Sequence, residues 1–155
     1  MNTANRIGLL VMFVTAVTWT ATTRADGHRY TASDPAWKAE CGSCHIAYPP
    51  ALLPAASWRA LMSGLDRHFG DDASLDPATR DKITAFLEKN ASRKRKLIDA
   101  TELRISETRW FRHEHDEVPA YVWKNTKVKS PANCAACHLN AEAGDYSERN
   151  IRIPR

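Results

Sequence analysis

The feature that most constrains this chain is a five-residue pattern that occurs twice, Cys41-Gly42-Ser43-Cys44-His45 and Cys134-Ala135-Ala136-Cys137-His138. Cys-x-x-Cys-His is the attachment pattern of c-type haem. Two thiols one helical turn apart can each add to one vinyl group of a single porphyrin. The histidine that follows then lies beneath the iron and offers it an imidazole nitrogen. The chain has four cysteines and the two patterns use all of them, so none is left for a disulfide or another metal. Whatever the fold, it has to be built around two covalent haem c groups.

Other readings of the cysteines fit less well. A structural zinc site places its cysteine pairs at short spacings, whereas these two pairs lie in opposite halves of the sequence. A thioredoxin-like redox centre uses one Cys-x-x-Cys within a βαβ context, and no strand-rich pattern appears here.

Residues 1–25 read as a cleaved secretory signal. Arg6 supplies the basic start, Ile7 to Val17 an apolar run, and Thr23-Arg24-Ala25 the small residues before a cleavage site. The run is shorter than the roughly 20 apolar residues of a spanning helix, so no membrane span is expected after cleavage. Export suits the haem reading, because c-type haem is attached outside the bacterial cytoplasm. The remaining 130 residues suffice for one compact domain or two small lobes. Without Arg6 and Arg24, 20 basic residues face 18 acidic ones, a net charge of +2. So small an excess gives no argument for nucleic acid.

Ser33-Asp34-Pro35 predicts a helix start, with the helix running from Ala36 towards Cys44. Ser130-Pro131 predicts the same for the second haem pattern. The prolines at 49, 50 and 54 predict an extended apolar wrap. Ser57 predicts the cap of a helix from Trp58 to about Phe69, stopped by Gly70. Asp76-Pro77 opens another helix, with Ile83, Phe86 and Leu87 on its buried stripe. Ser106 predicts a cap for a helix through Trp110, Phe111 and His115. The tail from Gly144 reads as a surface strap. Arg93-Lys94-Arg95-Lys96 is the strongest charge run and marks a lobe boundary, giving lobes at 26–100 and 101–155. This run and the group Lys124, Lys127 and Lys129 are the two candidate docking patches.

The sixth iron position decides function, since a closed iron moves electrons and an open one binds small molecules. Beyond His45 and His138 the mature chain offers His28, His68, His113, His115 and Met62. For the first haem His68 is favoured over Met62, which on the same helix would lie about 240° away. For the second haem periodicity barely separates His113 from His115. His28, close to the mature terminus, reads as a mobile surface residue.

With these residues on the page, the chain resembles the small exported dihaem cytochromes c whose haems are both bis-histidine ligated. The likeness rests on Cys41 to His45 with Tyr48-Pro49-Pro50 behind it, on Ser57-Trp58 through Leu65 and His68-Phe69-Gly70, and on Arg104 to Thr108. It continues through Trp110-Phe111, His115, Ser130 to His138 and Gly144-Asp145-Tyr146. The resemblance implies His68 as the second ligand of the first haem and His115, over His113, for the second. It implies an electron carrier whose partner is another redox protein, such as an oxygen-binding c-type cytochrome or a membrane cytochrome b.

The expected protein is a mostly α, periplasmic, monomeric electron carrier and not an enzyme. It has two small haem-binding lobes, the first resembling a class I cytochrome c, with long irregular loops and an extended C-terminal tail. The competing expectation is a peroxidase-like or gas-binding protein with one open iron.

Overall fold

A computed structural model describes residues 28–93, 98–99 and 101–155. The expected signal segment and Lys94, Arg95 and Lys96 of the charge run lie outside the described residues, as does part of the expected lobe boundary. Among the described residues the regular structure is five α-helices and six short 3-10 turns, joined by irregular loops. The β contacts are isolated bridges, so the chain is mostly helical. No helix among the described residues is long and apolar enough to cross a membrane.

The front half is built on three helices. Helix α1, Pro35–Cys41, starts where Asp34 accepts a hydrogen bond from the Trp37 amide at 3.0 Å, with Pro35 at the first position. It stops at Gly42, earlier than the sequence predicts. A Cβ on Gly42 would sit 2.2 Å from the Lys38 carbonyl oxygen, so only glycine lets the chain turn there. Helix α2 covers Ala55–Ser63 and α3 covers Pro77–Lys89. In α3 the Asp76 carboxylate caps the Thr79 amide at 3.0 Å, as predicted.

The prediction for α2 needs correction. The helix starts after Pro54, Ser57 lies buried inside it, and it ends at Gly64. A 3-10 turn, Leu65–Arg67, follows, so His68 is on a turn and does not share a helix with Met62. The stop is a glycine, but it is Gly64, six residues before Gly70.

Helices α2 and α3 pack on each other and α1 packs on α3. Between them lies an apolar cluster of Trp37, Leu52, Leu53, Trp58, Met62, Ile83 and Leu87, with Leu52 and Leu53 delivered by the proline-rich wrap, and it continues through Ile98 to Trp110 and Phe111 in the back half. The Trp58 indole donates to the Pro50 carbonyl at 2.8 Å, which pins that wrap.

The back half holds only two short helices, α4 at Arg109–Glu114 and α5 at Ala120–Trp123. Thr108, not Ser106, caps α4: its hydroxyl accepts from the Phe111 amide at 3.0 Å. Ser106 sits within a preceding 3-10 turn, Ile105–Glu107. The second Cys-x-x-Cys-His also departs from prediction. Ser130 closes a turn by accepting from the Ala132 amide at 3.2 Å, and Cys134–Ala136 is one 3-10 turn instead of a helix. The Asn133 side chain bonds the Val128 carbonyl at 3.0 Å, tying the residue before the motif back to the preceding loop.

The tail is not simply a surface strap. Asp145 and Ser147 are buried. The Asp145 carboxylate accepts from the Ser147 hydroxyl and amide, from Asn150 at 3.0 Å and from Arg29 at 2.8 Å. Tyr30 and Gly144 join the two chain ends through a 2.8 Å backbone bond. Gly144 has φ +73, and a Cβ there would lie 2.1 Å from the Tyr30 carbonyl oxygen, so this crossing also needs glycine.

Candidate haem sites

The first motif begins where α1 ends. Cys41 is half-buried, and burial pushes its thiol up to about 11. Cys44 and His45 are exposed to solvent on the protein's own surface. The His45 ring stacks on Tyr48, centroids 4.6 Å apart at 18°. Its Nδ1 lies 2.7 Å from the Ile46 carbonyl oxygen. A proton held on Nδ1 by that carbonyl leaves the Nε2 lone pair free for a metal.

Across from His45 stands His68, ring centroids 6.3 Å apart and planes at 22°. The turn that presents it uses a left-handed Phe69 (φ 55) and Gly70 (φ 113), and the Asp71 amide donates to the His68 carbonyl at 3.1 Å. The Phe69 ring lies beside His68 at 4.9 Å and carries the Arg104 guanidinium 4.0 Å above its centroid. Burial, then the neighbouring His45, holds the His68 imidazole below its usual range, partly offset by Asp71. The neutral ring is the form that ligates metal.

The second motif is held from several sides. Burial pushes the Cys134 thiol up to about 11 and also raises Cys137. The Cys137 carbonyl accepts from the Arg152 amide at 2.8 Å, so the tail braces the motif. His138 faces His115, centroids 6.1 Å apart with planes at 76°. His115 closes α4, where its ring stacks on Phe111 at 4.0 Å and meets Trp123 at 5.9 Å. Its Nδ1 lies 2.8 Å from the Phe111 carbonyl oxygen. Burial, then His115, keeps the His138 imidazole below its usual range.

The other candidates go elsewhere. His113 is exposed on the last turn of α4. Met62 is packed in the front core. His28 is half-buried rather than a mobile surface residue: its ring meets Trp110 edge-on at 6.1 Å, and its carbonyl accepts from the Tyr146 amide at 2.9 Å. Among the described residues no three His, Cys, Asp or Glu side chains converge as a metal cluster, which removes the zinc alternative for the cysteines there.

The histidine spacing tests the fit to haem. A metal bound by one nitrogen from each of two imidazoles, at about 2 Å per bond, holds the ring centroids roughly 6 Å apart. Both pairs meet that condition, at 6.3 and 6.1 Å. Each pair also stands next to a Cys-x-x-Cys that can attach a porphyrin. The residues therefore fit two haem groups.

A set of tyrosines lies at these sites, to which the sequence assigns no role: Tyr48 and Tyr146 enter there only through the resemblance, and Tyr30 not at all. Tyr48 donates its hydroxyl to the Ala132 carbonyl at 2.6 Å, and burial pushes its phenol up to about 12. Tyr30 and Tyr146 pack edge-on at 5.4 Å, and Tyr146 meets His138 at 5.1 Å. Burial raises the phenol of each, Tyr30 to about 12. Their spacing carries no period, so only a fold could bring them together.

The family model described as dihaem cytochrome c matches residues 37–146. A solved diheme cytochrome c from Rhodobacter sphaeroides is 47% identical, with a TM-score of 0.70, covering 76% of this chain and 99% of its own. One from Shewanella baltica OS155 is 41% identical, with a TM-score of 0.68, covering 77% of this chain and 92% of its own. No curated protein sequence matches at a comparable level.

Proposed function

This chain belongs to the dihaem cytochrome c family, carrying two haem c groups and serving electron transfer, and on that premise we propose an exported carrier with both irons closed by histidine. His45 and His68 would hold the first iron, and His138 and His115 the second. Cys41, Cys44, Cys134 and Cys137 would carry the thioether links. The observation that supports this reading is the pair of imidazole spacings, 6.3 and 6.1 Å.

When bound, the haem supplies a one-electron couple at its iron. The protein's part is to close that iron and keep its ligands still. Phe111 and Trp123 pack His115, while Tyr48 stacks on His45. Backbone carbonyls of Ile46 and Phe111 orient one histidine in each pair. Such bonds raise imidazole basicity, and histidine in place of methionine keeps haem potentials low.

A partner would dock where the second motif reaches the surface. Leu139, the residue after His138, is exposed, as are Tyr121 and Ile153. Lys124, Lys127 and Lys129 are exposed in the same half of the chain, which suits an acidic redox protein from outside the cytoplasm. We take the carrier to work as a monomer with that partner.

One observation favours a second reading, in which the first iron opens to a small ligand. His68 sits on a turn, and its buried Nδ1 has no hydrogen-bond partner among the described residues. Carbon monoxide added to the reduced protein separates the two. An unchanged visible spectrum is expected from the carrier, and His68→Ala or His115→Ala should each let one haem's absorbance shift. A shift of one haem's absorbance in the unaltered protein, not enlarged in His68→Ala, would establish the open-iron reading instead.

A further inference from the structure

We infer that Tyr48 couples the two haem sites electronically, its ring lying on His45 and its hydroxyl on the carbonyl that borders Cys134. The inference rests on the carrier reading above and deepens it. The Tyr48 ring is stacked on the His45 imidazole at 4.6 Å. Its Oη donates to the Ala132 oxygen at 2.6 Å, a contact between residues 84 positions apart. That same oxygen lies 3.6 Å from Cys134 Sγ and accepts the Cys134 amide at 3.0 Å. Tyr48 and the Ala132 carbonyl together therefore span from the proposed ligand of the first iron to the sulfur that would carry the second porphyrin.

Electron tunnelling decays less steeply through covalent bonds and short hydrogen bonds than across gaps. A 2.6 Å O–H···O bond is at the short end for two neutral oxygens. The step moves a single electron: one iron goes from ferrous to ferric and the other from ferric to ferrous. Tyr48 is neither oxidised nor deprotonated. It supplies coupling, and it is a positioning residue for Ala132 and Cys134 at the same time.

Tyr48→Phe and Tyr48→Leu separate coupling from support. Phe keeps the stack on His45 and deletes the hydrogen bond, in a space it fits without rearrangement; Leu deletes both. The half-reduced protein is followed by flash reduction, reading electron equilibration between the haems. Tyr48→Phe should slow it severalfold and Tyr48→Leu further, with both midpoint potentials unchanged in the Phe variant.

A second readout needs no electron transfer. Ala132-Asn133 is the only Ala–Asn step from His28 onward, so carbonyl-labelled alanine with nitrogen-labelled asparagine reports the Ala132 carbonyl alone by NMR. Its shift should move in oxidised Tyr48→Phe. An unchanged rate in Tyr48→Phe, with that carbonyl shift moved, would overturn the coupling role. An unmoved carbonyl would overturn the hydrogen bond itself. Absence of any equilibration in the unaltered protein would sink the carrier reading rather than Tyr48.

Discussion

The two histidine pairs are alike in spacing and opposite in construction. In the first, the motif histidine His45 is oriented by a backbone carbonyl, while its counterpart His68 has a buried Nδ1 without a partner among the described residues. In the second the roles invert: His115 is oriented by the Phe111 carbonyl, and it is the motif's own His138 whose Nδ1 has no partner among the described residues. The planes are near parallel at 22° in one and near perpendicular at 76° in the other. The supports differ as well. Three helices carry the first site, whereas the second is held by short helices, 3-10 turns and a polar knot around Asp145, and the apolar cluster of the front half reaches it only through Trp110 and Phe111. A repeated five-residue pattern thus does not imply a repeated fold. The motif dictates only the bond to porphyrin, and the surroundings are free to solve the rest differently.

The largest effect should come from the helical core. Ile83 is fully buried on α3, and Ile83→Ala is expected to cost about 3 kcal/mol through lost burial and the cavity left behind. Denaturant titration, following each haem's absorbance, would show whether the loss stays in the front half. Two separated transitions, with only the first moved, would sharpen the contrast between the halves. A single transition moved as a whole would break it, and would make the shared apolar cluster at Trp110 and Phe111, with Tyr48 and the Arg104–Phe69 contact, the seams of one cooperative unit.

A smaller effect is expected at the start of α4. This helix is six residues long, and its capping hydroxyl is Thr108, itself fully buried. Thr108→Ala should cost about 1 kcal/mol, read as a lower denaturant midpoint for the second haem, and Thr108→Ser should recover most of it. No recovery would mean that packing of the threonine methyl, rather than the cap, supports His115.

Different physical signals account for what was legible. The cysteine patterns were readable because haem attachment is local chemistry. The caps at Asp34 and Asp76 were readable because proline follows each and an amide is within reach three residues on. The end of α2 was missed because Gly64 and Gly70 carry the same signal, and only the second is in the left-handed region. Ser106 and Thr108 were likewise equivalent as sequence, and the intervening 3-10 turn decided between them. His115 and His113 differ by the side of α4 they occupy, which a short helix hides from periodicity. Tyr48, Asp145 and Tyr146 carried part of the resemblance, but their contacts were not legible, because their partners lie elsewhere along the chain.

The smallest effect concerns acid and the tail. Asp145 is held below the usual carboxylate range, first by the hydrogen bonds from Ser147 and then by Arg29 and Arg149. A carboxylate whose folded pKa is depressed contributes stability that is present above its unfolded value, about 3.9, and is lost as pH falls through the folded value. The tail should therefore stay anchored at neutral pH and loosen only under acid, below about pH 4. Hydrogen exchange at the Ser147 amide, bonded to Asp145 at 3.0 Å, reads this opening directly. In Asp145→Asn the exchange should be faster at neutral pH and lose its acid limb, because the group that titrates is gone. The Arg152 amide, which braces Cys137 at 2.8 Å, should follow the same profile if the tail moves as one piece. Protection at Arg152 that survives when Ser147 has opened would instead show that the second haem site is braced independently of the polar knot.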